Sequence, residues 1–431
     1  MNKPLIDIED SASSFEQEKL IRSFGFKGNY LTALWQVASQ LTSANGYTGL
    51  GLSTQSVLYS DASLFAKHTE TAGNSLMYKL TQESLSVIEK TLFFDPIHLQ
   101  EQILPQITAI GKRLTNKDDL HINFMLNALV SIDHAAWLVY AGENQLTTFN
   151  QLLPDAYQSS LSYRNNRLAI AYQIPYNMPI DDVKQAAKQG YFVFKIKTGF
   201  PGDQEQMLQR DSERLLQIHE VLRHCQTPYT SDGKIRYTMD ANGRYEKKET
   251  LLRYLDYAEN IGARQQILFY EEPFTETNEE DISDLEIRIA GDESIVDEKS
   301  AYRRIEQGYQ TFILKGIAKT LSLSIKIAKI AHERNIPCAF SDLTVNPILV
   351  DWHKNLVCRY RPFPDIGMGL IETNGQQNYK NWERMCSYHP LCGKSWTSEK
   401  NGVFILDDDY YENSGGIFKE SDHYQEHFTK R

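Results

Sequence analysis

The chain has 431 residues, and its 56 acidic against 45 basic side chains leave a net charge of −11, which argues against nucleic acid as a main partner. A hydrophobic share of 41% over this length suits one large enzyme of two domains, and five cysteines suggest free thiols in a reducing compartment. Met1 to Asp10 is polar and acidic, without a basic and apolar leader, so a soluble cytoplasmic protein with no membrane partner is expected.

In chain order, Trp35 to Leu52 alternates through Asn45-Gly46, which predicts a hairpin with a tight turn; Gly49 and Gly51 read as turn residues. The most apolar stretch, Phe124 to Ala141, contains Asn127, Asp133 and His134, so it reads as a core helix rather than a membrane span. Tyr163 to Arg167 reads as a linker. A first strand is expected from Leu168 to Gln173, and a second over Phe192 to Lys197. Further apolar runs end in Asp240, in Glu271-Glu272-Pro273, in Asp292-Glu293 and in Lys315, followed by an amphipathic helix from about Thr320 to Arg334. Ile336 to Phe340 and a run ending at Glu372 read as two last strands. Gly402 to Leu406 is strand-like and is expected to return to the N-terminal region.

The charges carry the functional information. A strand alternates its faces, so Val193, Lys195 and Lys197 point one way and Phe192, Phe194 and Ile196 the other. The same parity stacks Ile267, Phe269 and Glu271, then Thr238 and Asp240, then Thr311, Ile313 and Lys315. The strand ends lie roughly 20 to 45 residues apart, long enough for a crossover helix each. Parallel strands with charge only at their C-terminal ends predict a (β/α)8 (TIM) barrel, with a doubly wound sheet as the alternative. Residues 1–165 are expected to form an α+β capping domain, 166–372 the barrel, and 373–431 a tail returning to the cap. Extra sequence from Leu58 to Leu92 is expected to deepen a lid or to serve a homo-oligomer interface.

Converging carboxylates with few thiols or imidazoles suit a hard cation, Mg2+ or Mn2+. Such a site could hold a small carboxylate substrate and stabilise the enolate left when the neighbouring carbon loses a proton. A lysine held near a cation has a depressed pKa and could take that proton.

Five motifs in order, Lys195-Ile-Lys197, Met239-Asp-Ala-Asn242, Tyr270-Glu-Glu-Pro273, Gly291-Asp-Glu-Ser294 and Ile313-Leu-Lys315, resemble the enolase superfamily, most closely the muconate-lactonizing-enzyme-like subgroup of its mandelate racemase/muconate lactonizing enzyme family. The resemblance runs from about Leu31 to Glu372 and is specific in the barrel. It departs at Leu138, where the family carries an acid, and at Leu52, where a glutamate is common. By that resemblance Asp240, Glu271 and Asp292 are the metal ligands, and Lys197 and Lys315 the acid/base pair. Lys195 holds the substrate carboxylate, and Glu293 orients its neighbours. Asp342 and Glu372, at the ends of the last two strands, are expected to support the site or touch substrate. The implied reaction is racemisation or epimerisation of a dipeptide or N-acylamino acid. The alternatives are sugar-acid dehydration, cycloisomerisation, a Schiff-base enzyme and a non-catalytic metal-binding barrel.

Overall fold

The computed structural model describes residues 5–429; residues 1–4 and 430–431, the outer ends of the expected cap and tail, lie outside the described residues. The chain opens with three antiparallel strands, β1 (Ile8–Phe26), β2 (Asn29–Ser43) and β3 (Thr48–Gln55), in the order β1-β2-β3. The expected hairpin is β2–β3: Thr42 stands opposite Thr48 and Trp35 opposite Gln55, and Gly46 turns the corner at φ +85°. Gly49 and Gly51 are not turn residues but lie inside β3. A Cβ on Gly49 would meet Ala135 O at 2.3 Å and one on Gly51 would meet Ser131 O at 2.0 Å, because the helix Ile122–Glu143 lies directly on the strand. Their glycines permit a close backbone approach that any side chain would prevent.

That helix is long and apolar enough to cross a membrane, yet 89% of its most apolar window is buried inside the fold. Its Asp133 ties the N-terminal region to the next layer. The carboxylate accepts from Leu321 N (2.8 Å) and Ser322 N (3.2 Å), so it satisfies the open N-terminus of the helix Leu321–Glu333.

Eight parallel strands follow: β4 (Arg167–Ile174), β5 (Val193–Lys197), β6 (Arg236–Asp240), β7 (Ile267–Glu271), β8 (Ile289–Gly291), β9 (Thr311–Leu314), β10 (Cys338–Phe340) and β11 (Gly369–Glu372). Each pairs with the next, and β11 pairs back onto β4, Leu370 beside Ala169 and Glu372 beside Ala171, which closes the barrel. Closure excludes the doubly wound alternative. Side-chain alternation divides the core in two: Val193, Phe269, Ala290, Ile313 and Ala339 pack inside the barrel, while Phe194, Ile196, Phe312 and Leu314 pack outward against helices. Parity is interrupted in β7, where a register shift brings Leu268 as well as Phe269 to the inner cluster.

Two expectations fail here. The β7–β8 connection, residues 272–288, contains no helix; Pro273 and a polar run through Glu279-Glu280-Asp281 cross the outside as loop. The strand near Val403 does not return to the cap. As β12 (Val403–Ile405) it pairs antiparallel with β4, Val403 beside Ala169, and Val403 joins Phe363 and Ile366 in the inner cluster. Val403 and Ile405 thus pack against the inner cluster, while Phe404 packs in the outer one. The final helix, Asp422–Thr429, packs instead on β1.

Gly51→Ala should lower stability by about 1–3 kcal/mol, read as the urea midpoint, because the backbones of strand and helix cannot both stay in place. Gly46→Asn, at a positive-φ turn with open space around it, should change the midpoint by less than about 0.5 kcal/mol.

Candidate active site

The barrel register brings the strand-end charges together. Lys197 is paired with Asp240 across β5 and β6, and Asp240 with Glu271 across β6 and β7; Asp292 follows the end of β8 and Lys315 the end of β9. In the closed sheet β5 and β9 are separated by three strands on either side. Lys197 and Lys315 therefore stand across the mouth from each other.

Seven carboxylates are almost fully buried at this rim: Asp240, Glu271, Glu272, Asp292, Glu293, Asp342 and Glu372, none more than 6% exposed. Four lysines, Lys195, Lys197, Lys315 and Lys319, are buried with them, and Lys27 reaches in from the N-terminal sheet to Glu293 Oε1 at 3.1 Å. Lys195 Nζ is surrounded by Asp240 Oδ2 (3.1 Å), Glu271 Oε2 (2.7 Å), Glu372 Oε2 (2.9 Å) and Ser341 Oγ (3.1 Å). Lys197 Nζ donates to Asp240 Oδ2 (2.5 Å) and Asn242 Oδ1 (3.0 Å). Lys315 Nζ donates to Asp292 Oδ2 (2.5 Å) and lies 4.4 Å from the centre of the Tyr59 ring.

Burial alone would discharge these groups; their partners reverse the effect. Burial disfavours the Lys195 ammonium, but Asp240, Glu271 and Glu372 outweigh it and hold its pKa well above the usual lysine value. Lys315 is raised in the same way, against burial, by Asp292 and Glu293. Asp240 and Asp292 are pulled below the usual range: burial opposes their charge, but Lys195 and Lys197 prevail at the first, and Lys315 and Lys319 at the second. Both shifts come from the protein's own carboxylates. With Asp240 beside Lys195 and Asp292 beside Lys315, both ammonium groups are favoured.

The remaining acids show a shortage of positive charge. Burial, and then the neighbouring Asp240, push Glu271 well above the carboxylate range; burial and Glu293 push Glu272 up to about 8. Burial and Glu372 push Asp342 up to about 7. Glu272 Oε1 and Glu293 Oε2 are buried with no hydrogen-bond partner among the described residues. An oxygen-rich cage with surplus anionic charge fits a hard divalent cation, with Asp240, Glu271 and Asp292 as the residues that would hold it. They are not gathered into one coordination sphere. Among the described residues, the trio of His, Cys, Asp and Glu whose ligand atoms all lie within 4.8 Å of one another is elsewhere, on β1 and the last helix. At the rim, Lys195 bridges Asp240 and Glu271, while Lys315 and Lys319 pair with Asp292.

The supporting acids differ in their contacts. Glu293 Oε1 accepts from Asn242 Nδ2 (3.1 Å), linking the loops after β6 and β8. Glu372 touches Lys195 and also accepts from Gln173 (2.9 Å) and Asn374 (3.1 Å). Asp342 accepts from the backbone N–H groups of Thr344 and Asn374, so it joins the loops after β10 and β11 while still lining the cavity. Glu272 sits at φ +37° and accepts from Asp292 N (2.6 Å), Ser294 N and Ser294 Oγ. Its strained backbone is over-determined by those bonds and fixes the approach of Asp292.

Sequence reasoning missed Lys319, Tyr59 and Lys27. Lys319 Nζ reaches Asp292 Oδ1 (3.1 Å) and donates to Asp292 O (2.5 Å); its spacing of four from Lys315 was the available signal. Tyr59 and Lys27 have no local signature, because both enter from the N-terminal region. Leu20, Phe24, Leu31 and Leu34 from β1 and β2 complete the roof of a cavity of about 30 Å3 that Lys195, Lys197 and Lys315 line from below.

Lys195→Met should destabilise the protein by about 3–5 kcal/mol, since Asp240, Glu271 and Glu372 would be left facing one another, and millimolar Mg2+ should recover part of the loss in urea titrations. An unchanged midpoint would remove the lysine from its central electrostatic position.

Residues 180–362 match the family model described as enolase C-terminal domain-like. No curated protein sequence matches the chain. Among solved structures, a mandelate racemase/muconate lactonizing protein from Herpetosiphon aurantiacus is 14% identical with a TM-score of 0.64, over 93% of this chain and 96% of the other. A dipeptide epimerase from Enterococcus faecalis, in complex with Mg and the dipeptide L-Leu-L-Tyr, is 14% identical with a TM-score of 0.63, over 93% and 97%. An N-succinyl Arg/Lys racemase from Bacillus cereus is 13% identical with a TM-score of 0.60, over 88% and 89%. The barrel segment thus matches the enolase C-terminal domain-like family, and the whole chain has the capped-barrel fold of mandelate racemase/muconate lactonizing enzyme-like proteins.

Proposed function

We propose that the protein is a divalent-metal-dependent racemase or epimerase that moves the proton on the carbon next to a carboxylate. The observation that carries this reading is the placement of Lys197 and Lys315 across one mouth, each bonded to a different carboxylate of the cage. Two bases on opposite sides of one carbon suit removal of a proton from one face and its return to the other. A divalent cation held by Asp240, Glu271 and Asp292 would supply Lewis-acid charge to the substrate carboxylate.

The chain's own residues have distinct tasks. Lys195, fixed between β5 and the acids of β6, β7 and β11, is positioned to hold a substrate carboxylate by charge. Lys197 and Lys315 form the acid/base pair: one takes the proton from one face of the carbon, the other returns a proton to the opposite face, and the roles exchange in the reverse direction. Leu20, Phe24, Leu31 and Leu34 offer an apolar wall to a substrate side chain and exclude water from the deprotonated carbon. The β1–β2 hairpin forms one wall of this cavity, so its position sets the room left for a substrate side chain. Its pairing is irregular between Lys19 and Phe24.

Dipeptides and N-acylamino acids are the substrates favoured, a reading supported by what the epimerase and racemase neighbours are named for. No histidine lines the cavity among the described residues, and His353 is buried against Phe340, so a dehydratase using an imidazole acid has less support.

With Mg2+ in D2O, pooled dipeptides and N-acylamino acids should take up deuterium at the α-carbon, read by mass spectrometry. Lys197→Ala and Lys315→Ala should each reduce epimerisation by at least about a thousandfold while one of the two retains exchange on a single enantiomer, and both should still bind Mg2+ by calorimetry. Turnover unchanged in both variants would overturn the base assignment; loss of water from a sugar acid would favour the dehydratase.

A further inference from the structure

Glu16, His423 and His427 form a second cluster that plays no part in the barrel mouth. We infer that these three residues bind a divalent transition metal of the Zn2+ class, fastening the C-terminal helix to β1. Each side chain offers one ligand atom, and these atoms all lie within 4.8 Å of one another. His423 and His427 are four apart on the helix Asp422–Thr429, so they share the face that packs on β1. Glu16 enters from β1, with Oε2 3.0 Å from His423 Nε2.

A histidine–glutamate pair by itself would be an ordinary surface contact. Two features go beyond it. A third ligand atom converges on the pair from the next helical turn, and Glu16 Oε1 is buried with no hydrogen-bond partner among the described residues. The ligands are also held in place before any metal arrives: Tyr388 stacks on the His423 ring at 3.5 Å and 1°, and Ser14 Oγ lies 2.9 Å from His427 Nδ1. Such outer contacts set ring orientation at metal sites.

The donor chemistry selects the ion. Two imidazoles and one carboxylate suit Zn2+ and its neighbours, whereas Mg2+ prefers oxygen throughout, so this cluster and the barrel cage would take different metals. With side-chain exposures of 27% for His423 and 22% for Glu16, water can complete a four-coordinate shell. The location gives the site a consequence. β1 continues from Glu16 to Leu20 and Phe24, which roof the cavity, so a metal here would anchor the strand from which the roof hangs.

The test uses the full-length protein, stripped of metal and kept in excess Mg2+ so that oxygen sites are occupied. Zn2+ affinity is measured by competition with a chromophoric chelator, and Co2+ is used as a spectroscopic substitute. The wild type should bind one equivalent that Glu16→Gln weakens at least about tenfold and that His423→Ala/His427→Ala abolishes. Cys386→Ser/Cys392→Ser should leave it unchanged, with no thiolate charge-transfer band in the Co2+ spectrum. Equal affinity in the wild type and the double-histidine variant, folded by circular dichroism, would overturn the site. If that variant does not fold, wild-type affinity in Glu16→Gln overturns it instead, as would a thiolate band lost with the cysteines.

Discussion

Everything at the barrel mouth depends on buried lysines and buried carboxylates neutralising one another. An ammonium or carboxylate removed from water without a partner is costly enough that it would lose its charge, so Lys195 is tolerable only inside its ring of four oxygens. Those oxygens come from β6, β7 and β11 and from Ser341, just after β10. The ion pairs therefore require the closed barrel, and they hold four of its strand ends in register.

The lattice is unevenly satisfied. Asp240 and Asp292 are drawn below the usual carboxylate range by the lysines beside them, whereas Glu271 and Glu272 are pushed above it by burial and by other acids. A cage with that imbalance is preorganised for more positive charge. The same contacts that stabilise the fold keep Lys195 and Lys315 charged, so a change of partner at Asp240 or Asp292 would alter the proton affinity of the lysines. Structure and proposed chemistry draw on one set of interactions.

The N-terminal sheet serves as more than a cover. Asp133 caps a barrel helix, Lys27 reaches Glu293, and Tyr59 lies over Lys315, so three separate contacts lock the sheet and its helices to the rim. The long β1–β2 ribbon brings Leu20, Phe24, Leu31 and Leu34 over the charges, and its far flank receives the C-terminal helix. The roof of the cavity and the attachment of the tail are therefore carried by the same strand.

Much of this was legible in the chain because the relevant rules are local. Alternation along a strand put Lys195 and Lys197 on one face and Phe194 and Ile196 on the other, and the recurrence of charge at strand ends pointed to a barrel. Other features depend on contacts between residues far apart in sequence. No periodicity could show that Gly49 and Gly51 yield to a helix eighty residues later, that residues 272–288 cross without a helix, or that Val403 joins β4. Nor could it assign Lys195 to Glu372 or place Tyr59 beside Lys315. By itself the sequence determined in what order the charges recur and, outside the irregular β7, which side chains face inward, since those follow from backbone period and spacing. Tertiary structure alone decided which charges meet, because pairing across a closed barrel depends on register and curvature that no single strand encodes.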